Sequence, residues 1–264
     1  MSKITAIINQ KGGQGKTTTA LNLGYALSES GKKVLMVDFD PQSSLTYALG
    51  YYAEDKENIQ TLMALAIEEK ETEDKNKYIL NVKENLDLLP CSLELAGIEM
   101  TLVNVMSREL ILKAVLEEFK QNYDYILIDC SPSLGMLTIN ALAACNSVII
   151  PVTPEYLSAK GLALIIKNIN RIKRRINPQI YIDGILITML NPRTNLSKEI
   201  VRALNESVEF IKNEFNLEVK IFQNKIPISV RMGEAILNKQ SIIEYEPNNK
   251  VAIAYKDFAE EWKK

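Results

Sequence analysis

Histidine is absent from the 264 residues of this chain. Without imidazole there is no Ser-His-Asp or Cys-His nucleophile pair, no histidine acid or base, and no His-ligated zinc. Cysteine is scarce as well. Cys91, Cys130 and Cys145 are scattered singly and make neither a disulfide framework nor a four-thiolate metal site, a usage that fits reduced thiols in a cytosolic protein. Long apolar runs are missing at the N-terminus, where residues 4–8 are too few for a signal peptide. Residues 130–154 carry no charge, but Pro132, Pro151, Pro154 and several Asn, Ser and Thr suit a helix over 136–144 and a strand over 147–152 better than a membrane span. The remaining composition, 47% hydrophobic and 24% charged, is that of a globular protein.

A net charge of −2 conceals an asymmetry. Residues 1–130 hold 13 Lys and Arg against 20 Asp and Glu, whereas residues 131–264 hold 18 against 13. A polyanion partner for the C-terminal half is therefore compatible with the total.

Short apolar runs recur at 4–8, 34–39, 86–89, 125–129, 147–152, 182–190 and 219–226. They are apolar at nearly every position, as strands buried on both faces must be. Helical periodicity fills the intervals, for example over 17–29, closed by Gly31, and over 108–120. This alternation predicts an α/β fold: a mostly parallel twisted sheet with helices on both faces. The acidic stretch 54–77 surrounds one apolar patch at 62–67 and reads as a surface insertion, so a single domain over 1–264 is expected.

Between the first strand and first helix stands a glycine-rich loop, INQKGGQGKTTTALNLGYAL. Glycines allow a backbone to wrap around phosphates with its N–H groups inward, and the following helix offers its positive end. Gly12, Gly13, Gln14, Gly15, Lys16, Thr17 and Thr18 are thus candidate nucleotide-binding residues, with Lys16 placed for the β- and γ-phosphates and Thr17 for Mg²⁺. The usual G-x-x-x-x-G-K-[ST] pattern fails, because its first glycine falls on Gln10. Instead K-G-G-x-G-K-T begins at a second lysine, Lys11. This deviant Walker A motif resembles that of the ParA/Soj/MinD family of P-loop ATPases, although Gln14 stands where the family commonly has Val. The resemblance implies ATP as ligand and an ATP-dependent homodimer, with Lys11 reaching the partner's nucleotide in trans, a role like that of an arginine finger.

Two further motifs follow. KVLMVDFDPQSS ends a strand in Asp38 and Asp40, two residues apart and on one face if the strand persists. The resemblance makes Asp40 the group that positions the attacking water and puts Asp38 on the Mg²⁺ side. YDYILIDCSPSLG ends a strand in Asp129, an acid suited to hold Mg²⁺ through water, while Cys130 reads as core. Here Ser131 replaces a proline usual in the family, and Gly135 could approach the γ-phosphate by its backbone. Candidate catalytic residues are Lys11, Lys16 and Asp40; candidate metal residues are Thr17, Asp38 and Asp129.

The likeness continues through ITMLNPRTNLS and KIFQNKIPISVRMGEA, and it is nearest to the Soj-type partition ATPases. It implies non-specific DNA binding through Arg193 and Arg231, with Ile228 replacing an arginine, and hydrolysis stimulated by a ParB-like centromere-binding partner. It also implies a cytoplasmic, nucleoid-associated protein without the helix-turn-helix extension of longer ParA proteins. Adenine recognition falls to the segments around Met189 and Pro227. Lys167, Arg171, Lys173, Arg174 and Arg175 form a further basic cluster at a helix end, which is either a phosphate-contacting face or a solvated one. The competing reading is a MinD-like membrane ATPase that inserts the stripe Val251, Tyr255, Phe258 and Trp262. The mixed charges of that segment favour packing against the domain, with no membrane partner.

Overall fold

The computed structural model describes residues 2–52, 57–72, 74–215 and 217–264. The strands are β1 (Lys3–Ile7), β2 (Val34–Phe39), β3 (Leu80–Lys83), β4 (Leu86–Leu89), β5 (Tyr125–Cys130), β6 (Ser147–Val152) and β7 (Tyr181–Ile187). They form one sheet in the order β3-β4-β2-β5-β1-β6-β7, parallel everywhere except at the β3–β4 hairpin. The helices are α1 (Lys16–Glu29), α2 (Ser44–Ala48), α3 (Ile59–Ile67), α4 (Leu95–Thr101), α5 (Ile111–Glu117), α6 (Met136–Ala144), α7 (Tyr156–Arg175), α8 (Asn195–Phe215), α9 (Val230–Leu237), α10 (Ile242–Tyr245) and α11 (Lys250–Lys263).

Strand periodicity explains why the apolar runs are unbroken. Leu35 and Val37 point into one core with Ile126, Ile128 and helices including α5 and α6, while Val34 and Met36 point into the other with Leu127, α1 and α11. Every residue of β2 is buried, as a central strand covered on both faces requires. Because β1, β2 and β5 run parallel side by side, the loops that follow Ile7, Phe39 and Cys130 emerge at one edge of the sheet. In open parallel sheets that edge is where ligands bind.

Four expectations change in detail. Residues 219–226 do not form a full strand: the segment bridges β7 at Ile185–Ile221, with a second bridge, Leu190–Pro227, just past its end, and bonds to β7 through the Phe222 and Ile226 N–H groups. The N–H groups of Gln223 and Asn224 donate instead to the Glu261 carboxylate on α11, at 2.7 and 2.9 Å, which interrupts the ladder. β3 carried no apolar run because it is a half-exposed edge strand, turned back at Asn85 with φ 61°. The helix expected over 108–120 opens in a 3-10 turn, Arg108–Leu110, and its α-helical part is α5. The acidic stretch 54–77 is not wholly superficial either. α3 lies within it and buries Ile59, Leu62 and Met63 in the core, while residues 68–71 are exposed.

No helix among the described residues is long and apolar enough to cross a membrane. The stripe Val251, Tyr255, Phe258 and Trp262 is buried, and α11 packs on α1. The Trp262 indole donates to Asp183 at 2.7 Å, and Lys3 pairs with the same carboxylate at 3.0 Å while lying over the indole ring. Trp262→Ala should therefore cost about 3–5 kcal/mol in urea denaturation. Ile253→Ala on the exposed face of α11 should change stability by less than about 0.5 kcal/mol. Equal effects would show that α11 is not docked through its stripe.

Candidate phosphate site

The loop between β1 and α1 is anchored on its sides and open at its tip. Asn9 donates to the Pro151 carbonyl at 2.7 Å and accepts from the Lys11 N–H at 3.0 Å. The Gln14 side chain is buried and accepts from the Thr153 N–H and hydroxyl at 3.0 and 3.1 Å, while the Thr188 hydroxyl donates to the Gln14 carbonyl at 2.9 Å. Gln14 thus clips the loop to the ends of β6 and β7 rather than facing an anion. Gly13 and Gly15 have φ of 73° and 81°, a left-handed conformation that side chains disfavour. At Gly12 and Gly13 a Cβ would meet only open space, so no side chain crowds the loop tip. Gly15 caps α1, whose first-turn N–H groups point into that space.

Three sequence-predicted residues converge there. Lys16 is almost wholly buried, and burial lowers its pKa against the opposing charges of Asp129, Cys130 and Asp40. Asp38 and Asp129 are register partners across β2 and β5, and both are fully buried. Burial, then the neighbouring Asp38 charge, pushes the Asp129 carboxyl well above the usual carboxylate range, opposed by the Thr17 hydroxyl and Lys16. Among the described residues, neither Asp129 oxygen has a partner in full hydrogen-bonding geometry. A buried acid with both acceptors open beside a buried lysine fits a cation bridging it to phosphate. No cluster of three or more acidic, cysteine or histidine side chains among the described residues could hold a metal.

Asp38 differs from expectation. Its Oδ2 accepts from the Thr46 N–H at 2.8 Å and the Thr46 hydroxyl at 2.7 Å, and its Oδ1 from the Asp40 N–H at 3.4 Å. Those bonds occupy both of its oxygens, which leaves Asp129 as the buried acid with acceptors to spare among the described residues. Burial raises the Asp38 pKa to about 6 despite the Thr46 bonds. Asp40 is buried at the rim, its Oδ1 accepting from the Gln42 N–H at 3.0 Å. Lys11 is exposed and pairs with Glu155, just before α7. Thr46, Thr153 and Glu155 were not foreseen, because each reaches the site through the folded chain and none lies in a motif.

Met189 and Pro227 line an apolar cavity of about 250 Å³ together with Gly15, Thr18, Met232 and Tyr255, next to the phosphate loop. Met189 is left-handed, with φ 52°, and Leu190 bridges to Pro227. Larger polar hollows around Lys33 and Tyr123 hold none of the motif residues. Arg193 is exposed in an Asx turn with Asn191. Arg231 is also exposed, but it pairs with Glu234 at 2.6 Å and Glu246 at 3.7 Å. Of the basic cluster, Lys173 donates to the Ile180 carbonyl at 2.6 Å, while Lys167, Arg171, Arg174 and Arg175 are exposed.

A family model described as AAA domain matches residues 2–182. The sporulation initiation inhibitor protein Soj of Bacillus subtilis (strain 168) is 44% identical over 261 residues, covering 99% of this chain and 98% of that protein. The chromosome-partitioning ATPase Soj of Treponema pallidum (strain Nichols) is 37% identical, with 99% and 97% covered. Among solved structures, cobyrinic acid a,c-diamide synthase from Mycobacterium smegmatis with bound ADP and magnesium superposes with a TM-score of 0.79 at 31% identity, covering 98% of this chain and 93% of that one.

The buried acids predict a pH dependence. A carboxyl whose folded pKa exceeds its unfolded value binds more protons when folded, so its contribution to stability declines as pH rises through that interval. For Asp38 the interval runs from 3.8 to about 6, and Asp129 shifts in the same direction. Asp129→Asn should raise the melting temperature of the protein, free of nucleotide and metal, at pH 7.5 by about 2–4 °C per kcal/mol regained. The advantage should shrink as the pH falls and the wild-type carboxyl takes up its proton. A lower melting temperature for the variant at pH 7.5 would refute the open-carboxylate assignment.

Proposed function

Because this chain belongs to the ParA/Soj branch of the AAA-domain family, we propose that it is an ATP-hydrolysing partition protein whose single domain dimerises on ATP and binds DNA without sequence preference. The observation that carries this reading is the Asp129 carboxylate, with both acceptors spare among the described residues, beside Lys16 at the end of the glycine loop. The higher identity of the Soj relatives favours partition over the activity of the diamide synthase.

The residues divide the work. The backbone of 12–18 and the Lys16 ammonium hold the phosphates, and the cavity of Met189 and Pro227 takes the adenine. Thr17 and Asp129 would hold Mg²⁺, which when bound neutralises charge on the β- and γ-phosphates. Asp40 orients the attacking water. Lys11 neutralises the partner's nucleotide after leaving Glu155. That exposed ion pair is worth at most about 1 kcal/mol, so it gives way readily to a phosphate contact. Arg193, Arg231 and the exposed cations of α7 meet DNA phosphates, and a ParB-like protein accelerates turnover. Cytoplasmic, nucleoid-associated behaviour follows. A MinD-like attachment through α11 is disfavoured because its apolar stripe is buried.

Lys16→Ala should weaken ATP binding by about 10²-fold, read by calorimetric titration. Asp40→Ala should bind ATP and dimerise yet turn over about 10²-fold more slowly. ATP-dependent retardation of DNA, weakening steeply with salt, should be lost on Arg193→Glu with the dimer intact. Liposome co-sedimentation without DNA retardation would instead favour the membrane ATPase.

A further inference from the structure

The three hydrogen bonds on Asp38 come from the segment 40–46, and Thr46 supplies two of them. Thr46 is fully buried on the short helix α2. Its Oγ1 also accepts the Cys91 N–H at 3.1 Å, just past the end of β4. A hydroxyl carries one proton, so with Cys91 donating to its oxygen, the Thr46 proton is directed onto Asp38 Oδ2. The same strand end grips the segment at its other end: Cys91 Sγ lies 3.3 Å from the Asp40 carbonyl, which also accepts the Ser43 N–H at 2.8 Å.

We propose that Thr46 is a positioning residue for phosphoryl transfer at this site. Its hydroxyl holds Asp38 Oδ2 on the 40–46 segment and, through Cys91, ties that segment, with Asp40 at its start, to the end of β4. This inference rests on the ATP-hydrolysis reading above and assigns Thr46 no contact with nucleotide. Two adjacent buried carboxylates repel each other, and one that rotates freely would compete with its neighbour for the same cation. The Thr46 hydroxyl settles that competition by giving Asp38 a fixed partner, which leaves Asp129 as the open acid. Without the hydroxyl, the backbone bonds from Thr46 and Asp40 remain, so the fold is retained. What is lost is one of the two bonds on Asp38 Oδ2, which loosens the carboxylate, and the acceptor that ties β4 to the segment. Asp40 then orients water less well, because the acid and the phosphate loop no longer share one rigid frame.

The test compares wild type, Thr46→Val and Thr46→Ser as full chains. It measures ATP affinity by titration, turnover by phosphate release and folding by thermal melting. Thr46→Val should lower kcat by about 10- to 100-fold while ATP Kd stays within about threefold. Thr46→Ser, which keeps the hydroxyl and loses only a methyl, should keep kcat within about threefold. If the valine variant does not fold, Thr46→Ala replaces it, since it also lacks the hydroxyl and adds no bulk. Wild-type turnover in the hydroxyl-free variant overturns the proposal. So does an equal loss in the serine variant, which would make the effect one of packing, or a parallel loss of ATP affinity. A wild-type protein that binds ATP without hydrolysing it overturns the hydrolysis reading itself, a result distinct from all of these.

Discussion

Two carboxylates lie side by side, fully buried, at the carboxyl ends of adjacent central strands, and the rest of the phosphate end is arranged around that constraint. Asp38 and Asp129 are opposite each other in the β2–β5 register, so each raises the cost of ionising the other on top of the cost of burial. Lys16 offsets part of this charge but is itself buried and held below its ordinary pKa. Coulomb energy between like charges about 4–6 Å apart would be several kcal/mol at an effective dielectric of about 20. The fold resolves the two acids differently. Asp38 receives three hydrogen bonds from its own chain, whereas among the described residues neither Asp129 oxygen has a partner in full hydrogen-bonding geometry.

That asymmetry depends on the sheet. β1, β2 and β5 are neighbours in space but distant in sequence, and their parallel arrangement brings Lys16, Asp38 and Asp129 together. The flanks of the loop tip at Gly12 and Gly13 are tied down, through Asn9 to β6, Gln14 to Thr153 and Thr188 to Gln14, while no side chain crowds the tip itself. Rigid flanks around an open centre are what a preorganised anion site needs, since reorganisation on binding would consume part of the affinity.

Strands buried on both faces were legible because such strands leave continuous apolar runs, and β2, β4 and β6 match those runs residue for residue. The glycine-rich loop, Lys16 and Asp129 stand out in the sequence because phosphate chemistry needs fixed residue types at short spacing, and the structure brings them to one end of the sheet. β3 was not legible, since a half-exposed edge strand alternates with polar residues and leaves no run. The strand expected over 219–226 is interrupted for a tertiary reason: Glu261 takes the Asn224 N–H, which lies between Phe222 and Ile226, whose N–H groups do bond to β7. Thr46 escaped for a related reason. Its distance from Asp38 acquires meaning only once the turn at Ser43, with φ 52°, folds α2 back over the strand end.

Charge tells the same story at larger scale. A basic C-terminal half suggested a polyanion surface, but the cations there are not equivalent once folded. Arg231 is largely compensated by Glu234 and Glu246, and Lys173 caps the Ile180 carbonyl. Arg193 and the exposed cations of α7, Lys167, Arg171, Arg174 and Arg175, keep their heads in solvent. Phosphate contact exchanges condensed counterions for protein cations, so a cation already paired within the chain contributes less to it than a solvated one. The effective positive surface is therefore narrower than the excess of 18 over 13 in residues 131–264 implies, and it is weighted toward α7 and the loop carrying Arg193. Arg231 would join that surface in full only if a partner or a bound polyanion drew it away from its two glutamates.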